Sequence, residues 1–246
     1  MTSRVEGLGA ADGNVGYGAP RDRDDAWAMR QEWCCTIGMN ADVLVTTQQV
    51  HGADVRLVTA DHAGQGARPG TSLSGNADAL ITRDAGVALM TLHADCLPIL
   101  LVDPETPAVA SIHAGWRGTV QGVASATVAA MDLQFGSRPE NILAFLGPCI
   151  AACCYEVGDE VVDAWQKQGG DDANRALRPG RNRTHLDLKA VNRILLERAG
   201  LIGANIEASD ICTRCQERNW FSHRGQGSHT GRFGAIIALA EASGSD

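Results

Sequence analysis

The chain has 246 residues, 44% hydrophobic and 20% charged, with a net charge of −8 and a pI near 5.3. This is a globular composition with enough length to bury one large core. The acidic balance argues against nucleic acid as a partner, and no apolar run reaches the roughly 18 residues of a membrane span.

Residues 1–22 are polar, charged and Gly-rich, which predicts a loop, and they lack the apolar centre of a signal peptide. A cytoplasmic protein is therefore expected, with its eight cysteines serving as thiols or ligands rather than disulfides. Asp24 to Ile37 has helical spacing, with Trp27, Arg30, Cys34 and Ile37 near one face. Val43–Thr47 and Asp54–Thr59 read as strands flanking Gln48-Gln49-Val50-His51-Gly52, and Asp61–Gly75 as a loop.

Four short apolar strands follow: Ala79–Thr82, Gly86–Leu92, Leu97–Val102 and Val109–Ile112. Asp103-Pro104-Glu105-Thr106-Pro107 is a turn, because proline fixes φ and removes a ladder donor. The strands on either side of it are expected to pair as a hairpin, bringing Cys96 and His113 close. Thr119–Phe135 has the length and Ala/Val content of a helix, and Ile142–Leu146 reads as a buried strand closed by Gly147-Pro148. Val157–Gln168 and Leu186–Ala199 are further helices, the second capped by Asp187 and stopped by Gly200. Gly234–Ala240 is the last strand. Strands and helices mix without regular βαβ alternation or internal repeat. The expectation is a single α+β domain over 1–246, with a mixed sheet core and flanking helices.

Each chemical candidate has an ordinary alternative. His51, Cys96 and His113 lie near the ends of apolar runs, where loops begin and functional side chains concentrate. Three protein ligands with an open fourth position make a catalytic zinc site. Two histidines and a thiolate also suit copper, so ligand type does not choose the metal. From spacing alone, a buried cysteine with two hydrogen-bonded histidines is the better reading. Asp95 is a candidate partner of a ligand histidine or a general base, whereas His93 reads as structural.

Gly115-Trp116-Arg117-Gly118 is a turn into a helix, where Arg117 either holds phosphate, stacks on a base, or packs over Trp116. Cys149, Cys153 and Cys154, and the CxxC of Cys212 and Cys215, read as structural thiols. Phe221-Ser222-His223-Arg224 with Thr230-Gly231-Arg232 looks like an oxyanion pocket, against the alternative of a solvated basic loop.

These motifs occur together and in order: Gln49-Val50-His51-Gly52, Ala77-Asp78-Ala79, His93-Ala94-Asp95-Cys96-Leu97-Pro98 and His113-Ala114-Gly115-Trp116-Arg117-Gly118. Leu146-Gly147-Pro148-Cys149-Ile150, Cys154-Tyr155-Glu156-Val157, Cys212-Thr213, Phe221-Ser222 and Thr230-Gly231-Arg232 follow. From about Asn14 to Leu239 the chain resembles the purine nucleoside phosphorylase family historically called multicopper polyphenol oxidases, or laccase-domain proteins.

The resemblance implies a metal site, usually zinc, at His51, Cys96 and His113, which then serve as the catalytic centre. It also implies phosphorolysis of adenosine, inosine and methylthioadenosine, and deamination of adenosine. For such substrates Arg117, Phe221, Ser222, Arg224 and Arg232 are the candidate binding groups, because bidentate arginine suits phosphate oxygens. Copper-dependent phenol oxidation and amidase editing of a peptidoglycan precursor are the alternatives in such families. A copper oxidase needs several metal ions, and only one three-ligand set stands out. A purely structural zinc domain needs a fourth ligand. Monomer and homodimer stay open. The chain departs from the family pattern in a short front end before Asn14-Val15-Gly16-Tyr17, in Met29 where Asn usually precedes Arg30, and in His223 where Tyr is common.

Overall fold

The computed structural model describes residues 1–18 and 21–240. Positions 19–20 of the expected N-terminal loop and 241–246 of the expected domain lie outside the described residues. The strands are β1 (Leu44–Val45), β2 (Val55–Leu57), β3 (Ala79–Thr82), β4 (Ala88–His93), β5 (Leu97–Asp103), β6 (Ala108–Ala114), β7 (Leu143–Leu146), β8 (Leu177–Pro179), β9 (Thr184–Leu186), β10 (Ile206–Ala208) and β11 (Phe233–Ala238). The helices are α1 (Arg23–Thr36), α2 (Trp116–Val120), α3 (Val123–Phe135), α4 (Asp159–Gly169), α5 (Leu188–Arg198) and α6 (His223–Gln226).

A six-stranded mixed sheet runs β10-β7-β5-β6-β3-β2, and a three-stranded sheet runs β1-β4-β11. Alternation along β6 explains how they layer. Ala108, Ala110, Ile112 and Ala114 face a core completed by α3, α4 and α5. Val109 faces the other way and packs with Val45, Leu80 and Leu89. From that same face the Ser111 hydroxyl bonds Thr91 Oγ1 of β4 at 2.8 Å and the Ala235 carbonyl of β11 at 3.3 Å. Both faces of β6 are thus covered, which is why it reads as a continuous apolar run.

The expected hairpin forms: β5 and β6 are antiparallel, with Leu97 opposite Ala114 and Pro98 opposite His113. Asp103 Oδ1 accepts from the Glu105 and Thr106 amides and closes the turn. Asp187 caps α5 by accepting from the Ala190 amide.

Three expectations change. The helix over 119–135 is two helices broken at Gly122, where φ is +86°. β7 is half-exposed, with Ala144 and Leu146 inward but Leu143 and Phe145 outward. Ile37 is the exposed C-cap of α1, and Ala26, Met29, Arg30 and Cys34 form its buried face. The N-terminal segment is loop but not wholly solvated. Thr2, Asn14 and Val15 are buried, and the Thr2 and Val15 amides donate to the Gly234 and Arg232 carbonyls.

Candidate functional site

The ends of β4, β5 and β6 meet the β1–β2 connection, and there the three sequence-singled donors come together. One ring nitrogen from each of His51 and His113 and the Cys96 sulfur all lie within 4.8 Å of one another. The His51 ring stands edge-on to that of His113, centroids 4.9 Å apart.

Asp78, at the mouth of β3, organises this geometry. It is fully buried, so its charge requires donors. Oδ1 accepts from His113 Nδ1 at 2.8 Å and from the His51 amide at 3.0 Å. Oδ2 accepts from the Val50 amide at 3.0 Å and the Gly52 amide at 2.8 Å. One carboxylate therefore fixes the His51 loop and holds a proton on His113 Nδ1, so that Nε2 is the nitrogen a metal would engage once its own proton has left. Burial opposes the charge of Asp78, but these bonds hold its carboxyl below the ordinary range. Asp95 was the sequence-based candidate for this role and does not fill it. Its oxygens accept from Thr213 Oγ1 at 2.7 Å and the Arg224 amide at 2.6 Å. The signal in the sequence was a lone acid at the head of an apolar strand.

Backbone conformation adds to the arrangement. His51 and Asp95 both have positive φ, +61° and +85°, a conformation uncommon outside glycine that clusters at functional sites. The two glycines of the Gly115–Gly118 motif are there for close approach. A Cβ on Gly115 would lie 3.1 Å from Cys96 Sγ, and one on Gly118 would lie 2.6 Å from the Gly52 carbonyl.

Burial opposes ionisation of Cys96, but His113 and His51 beside it outweigh that and bring the thiol down to about 6. Burial likewise disfavours the His113 cation, yet Cys96 and Asp78 raise it to about 9. The metal-free site therefore favours a thiolate–imidazolium pair. His93 sits behind it, bonding Thr91 Oγ1 and the Cys96 carbonyl and stacking on Phe233. Burial, with His113 adding to it, keeps His93 neutral.

The three donors open into a cavity of about 700 Å³ that Arg21, Arg30, Arg117, Arg224 and Arg232 also line. Among the described residues, none of these five guanidinium groups has a carboxylate within 4.0 Å. Arg30 is buried and held by the Val15, Gly66 and Ala67 carbonyls and the face of Tyr17. Arg224 lies over Tyr155, its Cζ 5.3 Å from the ring centroid, and Arg117 over Trp116 at 4.5 Å. Packing over Trp116 and facing the cavity, the two readings of Arg117, are compatible.

Phe221 and Ser222 stand behind the wall rather than on it. Phe221 is packed with Ala94 and Phe233, and Ser222 caps α6 by accepting from the Gly225 amide. Both are buried, and Phe233, against which Phe221 packs, is the first residue of β11. Their places on the wall go to residues the sequence reading did not single out as binding groups, Arg21, Arg30 and Tyr155. His223 also lines it.

Fold and site together define an α+β protein whose cavity joins a His–Cys–His donor set to a cluster of arginines that have no carboxylate partner among the described residues. The chain belongs to the family described as multi-copper polyphenol oxidoreductase laccase, whose family model matches residues 1–240. It is 36% identical over 231 residues to purine nucleoside phosphorylase YlmD of Geobacillus stearothermophilus, covering 93% of this chain and 84% of that protein. It is 39% identical over 197 residues to adenosine deaminase RL5 of an unknown prokaryote, covering 80% and 75%. The crystal structure of YlmD from Geobacillus stearothermophilus superposes with a TM-score of 0.90 at 35% identity, over 98% of this chain and 89% of that one.

Proposed function

We propose that this protein is a zinc-dependent purine nucleoside phosphorylase that also deaminates adenosine. One observation carries the reading: the donor triad and five arginines, without carboxylate partners among the described residues, line a single cavity. The names of the relatives, a purine nucleoside phosphorylase and an adenosine deaminase, support it.

The donor set fits the ion. Three borderline-soft ligands, one already inclined to be a thiolate, with a cavity on their open side, match a catalytic zinc site. His51, Cys96 and His113 would hold it. Bound there, zinc supplies Lewis acidity and lowers the pKa of a water ligand toward about 7.

The remaining work falls to the chain. Asp78 orients His113 and the His51 loop, so the donors need not reorganise. Arg232, Arg224 and Arg117 bind phosphate, since planar guanidinium groups match its oxygens. Phosphorolysis then breaks the bond from C1′ to the base as a phosphate oxygen bonds C1′, giving ribose 1-phosphate and the free base. Trp116 and Tyr155 offer aromatic faces for the purine. For deamination, Asp95 is the proton carrier for the departing amine, because it is the one carboxylate among the described residues lining the cavity. Glu156, the acid in the Cys154–Val157 motif, gives its backbone carbonyl to Arg224 and is absent from that lining.

The test is chromatography of adenosine incubated with metal-quantified protein, with and without phosphate. Phosphate-dependent adenine, together with phosphate-independent inosine, is the expected result. Unchanged adenosine with zinc bound would overturn the reading and direct the assay to a peptidoglycan precursor amide.

A further inference from the structure

A second set of soft donors lies outside the cavity. Cys153 and Cys154, in the loop after β7, meet Cys212 and Cys215, in the loop after β10. All four sulfurs lie within 4.8 Å of one another. The sequence reading of these residues as buried structural thiols holds for Cys149, which is in the main core. It holds for Cys212 too, which is buried in the same core, but not for the rest of the cluster, where Cys153 and Cys215 are exposed and Cys154 is half-buried. Burial of an apolar thiol therefore does not explain why three further cysteines gather around Cys212.

The distances do suggest a reason. The Sγ atoms of Cys153 and Cys154 are 3.8 Å apart, those of Cys153 and Cys215 3.7 Å, and those of Cys154 and Cys215 3.3 Å. A tetrahedron of sulfurs around zinc, with Zn–S of about 2.3 Å, has edges of about 3.8 Å. A disulfide would require about 2.05 Å. Cys212 and Cys215 have the two-residue spacing of a zinc knuckle. Cys212 Sγ also accepts from the Ala151 amide at 3.4 Å, a bond that favours the thiolate over the thiol. The loops are already aligned by a parallel bridge between Cys149 and Cys212, with the Thr213 amide donating to the Cys149 carbonyl at 3.0 Å.

From this geometry we infer that Cys153, Cys154, Cys212 and Cys215 form a second, tetrathiolate zinc site. With four protein ligands it has no open position for water or substrate, so its role is structural. It staples two loops that build one wall of the cavity. Tyr155 follows Cys154 directly, and the segment after Cys212 carries Thr213, bonded to Asp95, and leads to Arg224. Arg224 in turn lies over Tyr155 and bonds the Glu156 carbonyl. The ion would hold Tyr155 and Arg224 in register with each other without touching the substrate.

The test is zinc stoichiometry of the purified full chain, with cobalt substitution as a second readout. Wild type is expected to hold two zinc ions per chain, Cys96→Ala one, and the double variant Cys153→Ser, Cys215→Ser one. Cobalt-loaded Cys96→Ala should show the visible bands and sulfur-to-metal charge transfer of a tetrahedral tetrathiolate. That spectrum reads the cluster intact, whether or not the serine variant folds. The inference is overturned if Cys96→Ala removes all the zinc and gives no such spectrum, if the cluster holds iron instead, or if non-reduced mass analysis shows the four cysteines in disulfides.

Discussion

Replacing Asp78 by Asn tests how the candidate site is held. The side chains are nearly the same size, so the change is chemical rather than steric. The carboxylate accepts four bonds, two on each oxygen. An amide offers one oxygen and one NH2, so two of the four donors must face another donor. With the NH2 toward Val50 and Gly52, the His51 loop loses its anchor. With the amide turned over, its NH2 faces His113 Nδ1, so the imidazolium loses its acceptor and the neutral ring keeps its proton on Nε2, the nitrogen a metal needs free. Each bond to a charged group contributes about 1.5–3 kcal/mol. Allowing for relaxation, a loss of about 3 kcal/mol is expected in the metal-free fold. At roughly 2–4 °C per kcal/mol for a chain of this length, the melting temperature should fall by about 6–12 °C. Loss of a partner that orients a ligand histidine weakens metal binding by roughly 10–100-fold. Thermal unfolding of the chelator-treated protein and zinc competition with a chromophoric chelator measure the two effects. Wild-type zinc affinity in Asp78→Asn would refute the claim that this carboxylate prepares the ligands.

In zinc-stripped protein, alkylation of Cys96 should stay near its maximal rate at neutral pH and decline as pH falls through about 6. The depressed thiol is ionised above that value and protonated below it. Peptide mapping of iodoacetamide adducts checks this, and an inflection near the ordinary thiol range of about 8.5 would contradict the proposed pairing with His113. Arg232→Ala should raise the KM for phosphate by about tenfold or more, the loss of one charged bond, with adenosine deamination nearly unchanged. Equal losses in both reactions would remove Arg232 from the phosphate site. Gly118→Ala should destabilise the fold by about 1–3 kcal/mol and weaken zinc binding, because the new methyl meets the Gly52 carbonyl next to His51. Unchanged zinc affinity in that variant would mean that the His51 loop tolerates displacement.

Much of the scaffold was legible because it rests on local rules. The Pro-containing turn at 103–107 between two apolar runs gave a hairpin, and the hairpin fixed Cys96 near His113. Asp187 before an amphipathic run marked a helix start. The errors arose where neighbours decide. Leu143 and Phe145 are as apolar as Ala144 and Leu146, but β7 lies near the edge of the six-stranded sheet, away from the covering strands. Phe221 and Ser222 carried the residue types of a pocket and were drawn into the packing under it.

By itself the sequence determined the α+β class, the family, and the soft donors that could meet. Alternation, turn chemistry and caps act within a few residues of the chain, and ordered motifs need no coordinates. Tertiary structure alone decided that Asp78, not Asp95, orients His113, and that five arginines share one cavity. It also decided that cysteines 58 or more residues apart form one cluster. Those relations depend on strand order and loop packing, in which β10 joins β7 and draws Cys212 beside Cys149. No local periodicity encodes which loops will meet at the end of a sheet.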